Sequence, residues 1–421
     1  MSTLERCPVE VLEEIASWIR GDLRNFRLVS KYINQAAQRV FWATHTLVID
    51  IGPVDTIKTT QGRRCAVLDV TKFNAALMLL RELNSQTPSS KFIQNLEIKL
   101  GPWGTLAQPL NSDVQKLSRE TLPNLLPAAL SALQGLVSVR LHVMITNDPD
   151  WFHRLIFQPL ANLPLLSDLT LEDHSYHTLY QKSQRCIPLH FFNTGRLRKL
   201  IVIGRSLSGD KFLSSISDLL IHNPHIIHLK LDDFSSIGGR NVALGDLFRS
   251  TKHQLLPLKT LHLHGWFADF SDPDLLAHIR TLSSLELCGH FADYPGVWKV
   301  FLRENIILRN ISCHSVKDEL MSYLDSFSGL EKLSAPYNGL SDDNQRVDIF
   351  YRRTLHNHRE SLQEVHVGSV YEGPWTIGLQ NVDIFDGFEK LVFVSVSLKW
   401  EDVHFGVDER DVVVSNLPNQ W

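Results

Sequence analysis

The strongest constraint on this chain is a six-residue pattern, apolar-x-x-apolar-x-apolar, that recurs eleven times between residues 93 and 393. It reads Ile93-Gln-Asn-Leu-Glu-Ile98, Leu136-Val-Ser-Val-Arg-Leu141, Leu166-Ser-Asp-Leu-Thr-Leu171, Leu197-Arg-Lys-Leu-Ile-Val202, Ile226-Ile-His-Leu-Lys-Leu231 and Leu258-Lys-Thr-Leu-His-Leu263. It continues as Leu282-Ser-Ser-Leu-Glu-Leu287, Leu308-Arg-Asn-Ile-Ser-Cys313, Leu330-Glu-Lys-Leu-Ser-Ala335, Leu362-Gln-Glu-Val-His-Val367 and Phe388-Glu-Lys-Leu-Val-Phe393. The last two apolar positions are two apart, so on a strand they share one face. After a first interval of 43 residues, the starts fall 22 to 32 residues apart. Helical periodicity fills several of the intervals, at 210–222, 272–281, 294–305, 317–327 and 348–358. A strand and a helix repeated in this way cannot bury their apolar faces alone and must stack on their neighbours. The rival is an ordinary α/β domain with parallel strands, which does not need so regular a consensus.

The pattern resembles the leucine-rich repeat, whose period is ~20–29 residues. Residues 330–340 also fit its longer form, with Asn338 at the asparagine position. The resemblance covers roughly residues 91 to 395 and implies an α/β fold, a curved solenoid of parallel strands with intervening helices. On its concave face the x positions would meet a partner: Asp168, Thr170 and Glu172; Lys199 and Ile201; His228, Lys230 and Asp232; Thr260, His262 and His264; Ser284 and Glu286. From these, Glu172, Lys199, Lys230, Asp232, His262, His264 and Glu286 are the expected substrate-contacting residues.

Residues 7–42 are of another kind. Apolar Val11, Leu12, Ile15, Trp18 and Ile19 follow helical spacing behind Pro8, a residue tolerated in a first helical turn. Gly21 and Asp22 punctuate a second short helix with Leu23, Phe26 and Leu28, and Ser30 can cap a third carrying Ile33, Ala36, Ala37, Val40 and Phe41. Three helices this short bury too little to stand alone. The stretch resembles the F-box in Pro8, Glu10-Val11-Leu12, Ile15, Asp22-Leu23 and Arg27-Leu28-Val29-Ser30-Lys31. It departs in having Cys7 where the family has leucine, and in a loop before Asp22 that is one residue shorter. The resemblance implies a Skp-family adaptor as partner and, through it, a cullin, with Pro8, Val11, Leu12, Ile15, Leu23, Leu28 and Val29 forming the docking surface. The alternative is that these side chains only pack the helices together.

Four segments follow: an F-box at 1–45, a junction strand and helix at 46–90, the repeats at 91–400 and a tail at 401–421. In the junction, Thr46-Leu-Val-Ile-Asp-Ile51 reads as a strand and 73–84 as a helix. A net charge of −4 argues against nucleic-acid binding by bulk charge, and no run approaches the ~18 apolar residues of a membrane span. Glu5, Glu10, Glu13 and Glu14 argue against a secretory signal. Five cysteines without a CxxC pair suit a reducing compartment, so a cytoplasmic or nuclear location is expected. Dinucleotide, phosphate-loop, zinc-protease and hydrolase-elbow motifs are absent from the sequence. His262 and His264 share one strand face, as metal ligands can, with His228, His314 and His366 at corresponding positions, but no completing ligand lies at metal spacing. They read as solvated polar residues; no metal or cofactor is expected.

Together the resemblances imply a non-catalytic substrate receptor of a cullin-type ubiquitin ligase, holding an unknown protein substrate. A scaffold that delivers nothing for ubiquitylation, and more remotely an enzyme without recognisable motifs, remain open.

Overall fold

In the ten motifs from Ile93 to Val367, the side chains at all three consensus apolar positions point inward and none is more than 8% exposed. Each such burial contributes about 1.5–3 kcal/mol, which is why the motif fixes the strand faces. The computed structural model describes residues 7–19, 30–44, 46–50, 55–58, 64–67, 70–85, 88–99, 121–143, 150–173, 189–204, 210–233, 244–251, 253–266, 268–288, 294, 296–339, 344–369, 372–378 and 381–399. It divides into two units, 1–226 and 227–421.

The first unit opens with helices α1 (Val9–Trp18) and α2 (Lys31–Thr44), then strand β1 (Thr46–Asp50) and an antiparallel hairpin, β2 (Asp55–Lys58) with β3 (Arg64–Val67). Helix α3 (Val70–Asn84), β4 (Asn95–Lys99), α4 (Leu122–Ser131), β5 (Ser138–Val143), α5 (Asp150–Ala161), β6 (Asp168–Asp173), β7 (Lys199–Gly204) and α6 (Asp210–His222) follow. Strands β1, β4, β5, β6 and β7 pair in that order, all parallel. The second unit holds β8 (His228–Asp233), α7 (Leu244–Arg249), β9 (Thr260–His264), α8 (Pro273–Ile279), β10 (Ser284–Cys288), α9 (Val297–Arg303) and β11 (Asn310–Ser312). It ends with α10 (Asp318–Leu324), β12 (Lys332–Asn338), α11 (Asn344–Ile349), a π-helix over Phe350–Leu355, β13 (Glu364–Ser369) and β14 (Phe393–Val396). Its strands also pair in chain order and in parallel. Both units are therefore α/β, with the parallel strand-and-helix alternation of a leucine-rich-repeat solenoid. No described helix is long and apolar enough to cross a membrane.

One backbone corner recurs in both units. The carbonyl just after the first apolar residue of a motif accepts two successive N–H groups of the next repeat. Gln94 O takes Val137 N and Ser138 N, Val137 O takes Ser167 N and Asp168 N, and Ser167 O takes Arg198 N and Lys199 N. In the second unit Ile227, Lys259, Ser283, Arg309, Glu331 and Gln363 do the same, all at 2.7–3.1 Å. The corner turns the chain into the strand and sets its register in one step.

Side chains from a following repeat satisfy backbone groups that the corner leaves over. Asn223 Oδ1 accepts Leu197 N, His278 Nδ1 accepts Leu256 N, the Tyr323 hydroxyl accepts Leu308 N, and His358 Nδ1 accepts Leu330 N. Asn338, completely buried, accepts Val316 N and donates to the carbonyls of Ala335 and Gly368. Such groups must be paired, since an unsatisfied buried one costs about 1–3 kcal/mol. Asp272 caps α8 by accepting Asp274 N at 2.8 Å, and Gly245 leaves it room: a Cβ there would lie 1.9 Å from Asp272 Oδ2.

The head packs through α1 and α2. Leu12 lies against Ile33 and Ala36, and Ala16 against Ala37. Ser30 caps α2 as its position suggested, with Ile33 N at 3.3 Å from its Oγ. The second short helix expected near Asp22 lies outside the described residues. Arg39 ties the head to the repeats: it pairs with Glu13 at 3.1 Å while its guanidinium stands 5.1 Å over the Phe92 ring. Asn95 Nδ2 also donates to Ala43 O at 3.1 Å.

Several elements differ from the sequence reading. The strand 46–50, expected in a junction, is the first rung of the ladder, with Leu47 and Ile49 beside Leu96 and Ile98. The place matching Ile93 falls on Thr44, a polar residue ending α2, so the motif is incomplete there. The last motif sits three residues later than read: Glu364 pairs with Phe393, which makes the frame Leu391-Val-Phe-Val-Ser-Val396 and leaves Phe393 48% exposed. Both frames satisfy the template, and the Val392 and Phe393 N–H groups bonded to Gln363 O, with the pairing of β13 and β14, select one. Helix 210–222 has the expected bounds, whereas α9 begins only at Val297, after Gly296 at φ 73°. The expected helix 348–358 is instead the end of α11, the π-helix and a 3-10 turn at His356–His358.

Two measurements follow from the buried caps. Burial holds His278 and His358 near a pKa of about 4, whereas the unfolded chain protonates them near ~6.5. Their contribution is complete above that value and is lost as pH falls toward 4, so urea midpoints at pH 7 should exceed those at pH 4.5, and His278→Phe should flatten the difference. Asn338→Ala removes three hydrogen bonds and should cost about 3 kcal/mol in the same assay without changing the far-ultraviolet spectrum.

Candidate functional site

The strands expose polar side chains in rows, because residues in register stand side by side on adjacent strands. Those rows bring histidines between carboxylates in each unit. In the first unit His142 on β5 lies between Glu97 on β4, 2.8 Å from Nε2, and Glu172 on β6, 3.2 Å from Nδ1. Lys99 stands 3.5 Å from Glu97 and Arg140 3.4 Å from Glu172. Burial alone would raise the Glu97 pKa, but the His142 hydrogen bond and the Lys99 charge outweigh it and lower it.

In the second unit, five of the expected residues meet. Asp232 on β8 takes Lys230 at 3.7 Å, His264 Nδ1 at 2.5 Å and His262 Nε2 at 4.0 Å. On the other side His262 Nδ1 reaches Glu286 of β10 at 2.5 Å. The hydrogen bond to Asp232 raises the His264 pKa against the opposing effect of burial. For Glu286 burial acts upward, and His262, with the more distant Lys230, brings the carboxyl below its usual range. Burial, reinforced by Glu286, pushes the Cys288 thiol up to about 11, and burial pushes Cys313 to about 12, so both are protonated at neutral pH and poor nucleophiles.

Of the expected contact set, Lys230, Asp232, His262, His264 and Glu286 thus form one cluster. Glu172 belongs to the first unit's cluster, whose members Glu97, Arg140 and His142 were missed because their pairing depends on strand register. Lys199 is half-buried in the row of Asp168 and makes no ion pair among the described residues. His262 is not solvated: it is 7% exposed, between carboxylates on both flanking strands, whereas His228, His264, His314 and His366 are half-buried. His366 shares the His262 row through Glu286, Ser312 and Ser334, whereas His228 stands in the row of Thr260. Among the described residues no group of three or more His, Cys, Asp or Glu side chains is arranged to hold a metal ion.

On the head, Pro8 is exposed, Val11 is 44% exposed and Ile15 half-buried, while Leu12 is completely buried as internal packing. Trp18, outside the expected docking set, is 79% exposed and donates its indole N–H to Glu14 at 2.7 Å. Pro8, Val11, Ile15 and Trp18 recur at three- and four-residue steps and so share one side of α1. Leu23, Leu28 and Val29 lie outside the described residues.

No protein-family model and no curated protein matches the chain. Among solved structures, a similar chain is that of the TLR13–ssRNA13 complex, at 12% identity and a TM-score of 0.23. The alignment covers 72% of this chain and 50% of that one, so this chain spans about half the length of the structure it matches.

The His264 geometry is open to measurement. Asp232→Asn removes the charge that favours the imidazolium, so the His264 titration, followed by NMR of its ring protons, should move down toward ~6.5. An unmoved titration would mean that the Asp232 contact does not persist in solution.

Proposed function

We propose that the chain is the substrate-recognition subunit of a cullin-type ubiquitin ligase. Its head would dock on the Skp-family adaptor as an F-box does, and its repeats would hold a protein substrate. One observation carries this reading. The head turns Leu12, Ala16, Ile33, Ala36 and Ala37 inward, yet keeps Pro8, Val11 and Trp18 outward on one side of α1. An exposed aromatic and aliphatic stripe on a helix is the form taken by helix-in-groove recognition, where a few such side chains dominate the affinity. The motif residues Pro8, Glu10, Leu12, Ile15, Asp22, Leu23 and Val29–Lys31 support the same partner. The tie from Arg39 and Ala43 to Phe92 and Asn95 supports a fixed geometry between the head and the first strands.

In this mechanism the chain performs no chemistry. It holds a substrate near a charged ubiquitin carrier, which raises the effective concentration of substrate lysines at the reacting thioester. The reading places the protein in the cytoplasm or nucleus.

Recovery of adaptor and cullin with the tagged full chain from cells is the direct test, and failure of the wild type to recover the adaptor would end the proposal. Val11→Asp with Trp18→Asp should reduce recovery by at least about tenfold, since each places a charge in a desolvated contact. Met78→Asp, on another exposed apolar position of the same unit, should leave recovery unchanged.

A further inference from the structure

Glu286 differs from the other carboxylates on the second unit's strand face. Asp232 has Lys230 and His264 beside it, and Glu364 has Lys332 Nζ at 2.5 Å. Glu286 contacts an imidazole, His262, and at 3.6 Å a thiol, Cys288; among the described residues no lysine or arginine ion-pairs with it. Its side chain is 41% exposed.

This carboxylate forms one wall of a trough of about 410 Å³. Ser312 and Ser334 line it on the two following strands, Ser284 on the strand of Glu286, and the Lys332–Glu364 pair, His366 and Phe393 complete the lining. The hollow follows from register. Along the row Glu286, Ser312, Ser334, His366, bulky side chains stop at Glu286 and resume only three strands later, at His366. Its volume is in the range of ~300–1,000 Å³ typical of ligand sites, enough for a long side chain with its flanking backbone.

We propose that the trough receives an arginine side chain from an extended segment of a protein partner, with Glu286 as its counter-charge. The serine hydroxyls that line the same trough can accept hydrogen bonds, and a guanidinium has five donors in a planar fork with which to use them. An acidic side chain would meet Glu286 with nothing to neutralise it. An apolar one would strip water from that carboxylate without replacing the lost hydrogen bonds. Lys332 opposes a cation little, because Glu364 already pairs with it. The inference gives the substrate of the proposed receptor a chemistry, and it rests on that reading for its biological meaning only.

The test uses the full chain without adaptor, so either proposal can fail alone. Fluorescein-labelled hexaarginine, hexaserine and hexaglutamate are titrated and followed by anisotropy. Hexaarginine should bind saturably and the other two should not. Glu286→Gln, which keeps the shape and a hydrogen bond to His262, should weaken hexaarginine by roughly tenfold, the scale of one charge-assisted contact. Glu360→Gln removes the same charge from an exposed position outside the strands and should change affinity by less than about twofold. Equal losses in the two variants, no loss in Glu286→Gln, comparable binding of hexaglutamate, or no saturation by hexaarginine up to about 1 mM would each overturn the proposal. Circular dichroism of both variants confirms that the fold is retained.

Discussion

The architecture depends on a single backbone arrangement, in which one carbonyl accepts two consecutive N–H groups from the following repeat. A bifurcated acceptor of this kind holds two peptide planes at once, so the next strand can start in only one place. The motif leucines then fall inward, since their positions relative to that carbonyl never change: Leu136 precedes Val137 as Leu362 precedes Gln363. Side-chain burial and backbone pairing thus enforce one another. A slip by one residue would turn every buried leucine outward.

The polar face inherits its organisation from the same corner. Because registers are fixed, His142 meets Glu97 and Glu172, and His262 meets Asp232 and Glu286, without any of these residues being near one another in sequence. Half-buried pairs of this kind add little stability each, because desolvation offsets much of the attraction. Their effect is to orient carboxylates and leave few charges uncommitted. Glu286 stands out against that background because its neighbour His262 is an imidazole rather than a permanent cation.

Much of the fold was legible in the sequence because a three-leucine signature is a burial signature. Ten motifs between Ile93 and Val367 lie on strands in the expected frame. The failures have local causes. At β1 the signature is broken by Thr44, and at β14 two overlapping frames, starting at Phe388 and Leu391, are equally apolar. The π-helix over Phe350–Leu355 has no compositional mark in a stretch that helical periodicity fits well. The site was legible as a face but not as a set of contacts. Alternation placed His262, His264 and Glu286 on the exposed side of their strands, yet which carboxylate flanks which imidazole is set by register between residues 24 to 45 apart in sequence. Exposure misled for the same reason: His262 is polar and outward-facing, but its neighbours cover it.

The doubly used carbonyl also bears on how such a chain can change over generations. The corner and its strand occupy only about six residues, and everything it needs from the next repeat is two N–H groups and a leucine. The return path carries no comparable requirement, and its length indeed differs from one repeat to the next, with motif starts as little as 22 and as much as 43 residues apart. Insertions and deletions in the return path should therefore be absorbed without disturbing the strand faces, as loop-closure cost grows slowly with length. Variation in this lineage would then accumulate as changes in the reach and composition of the loops, around a lattice of hydrogen bonds that does not register them.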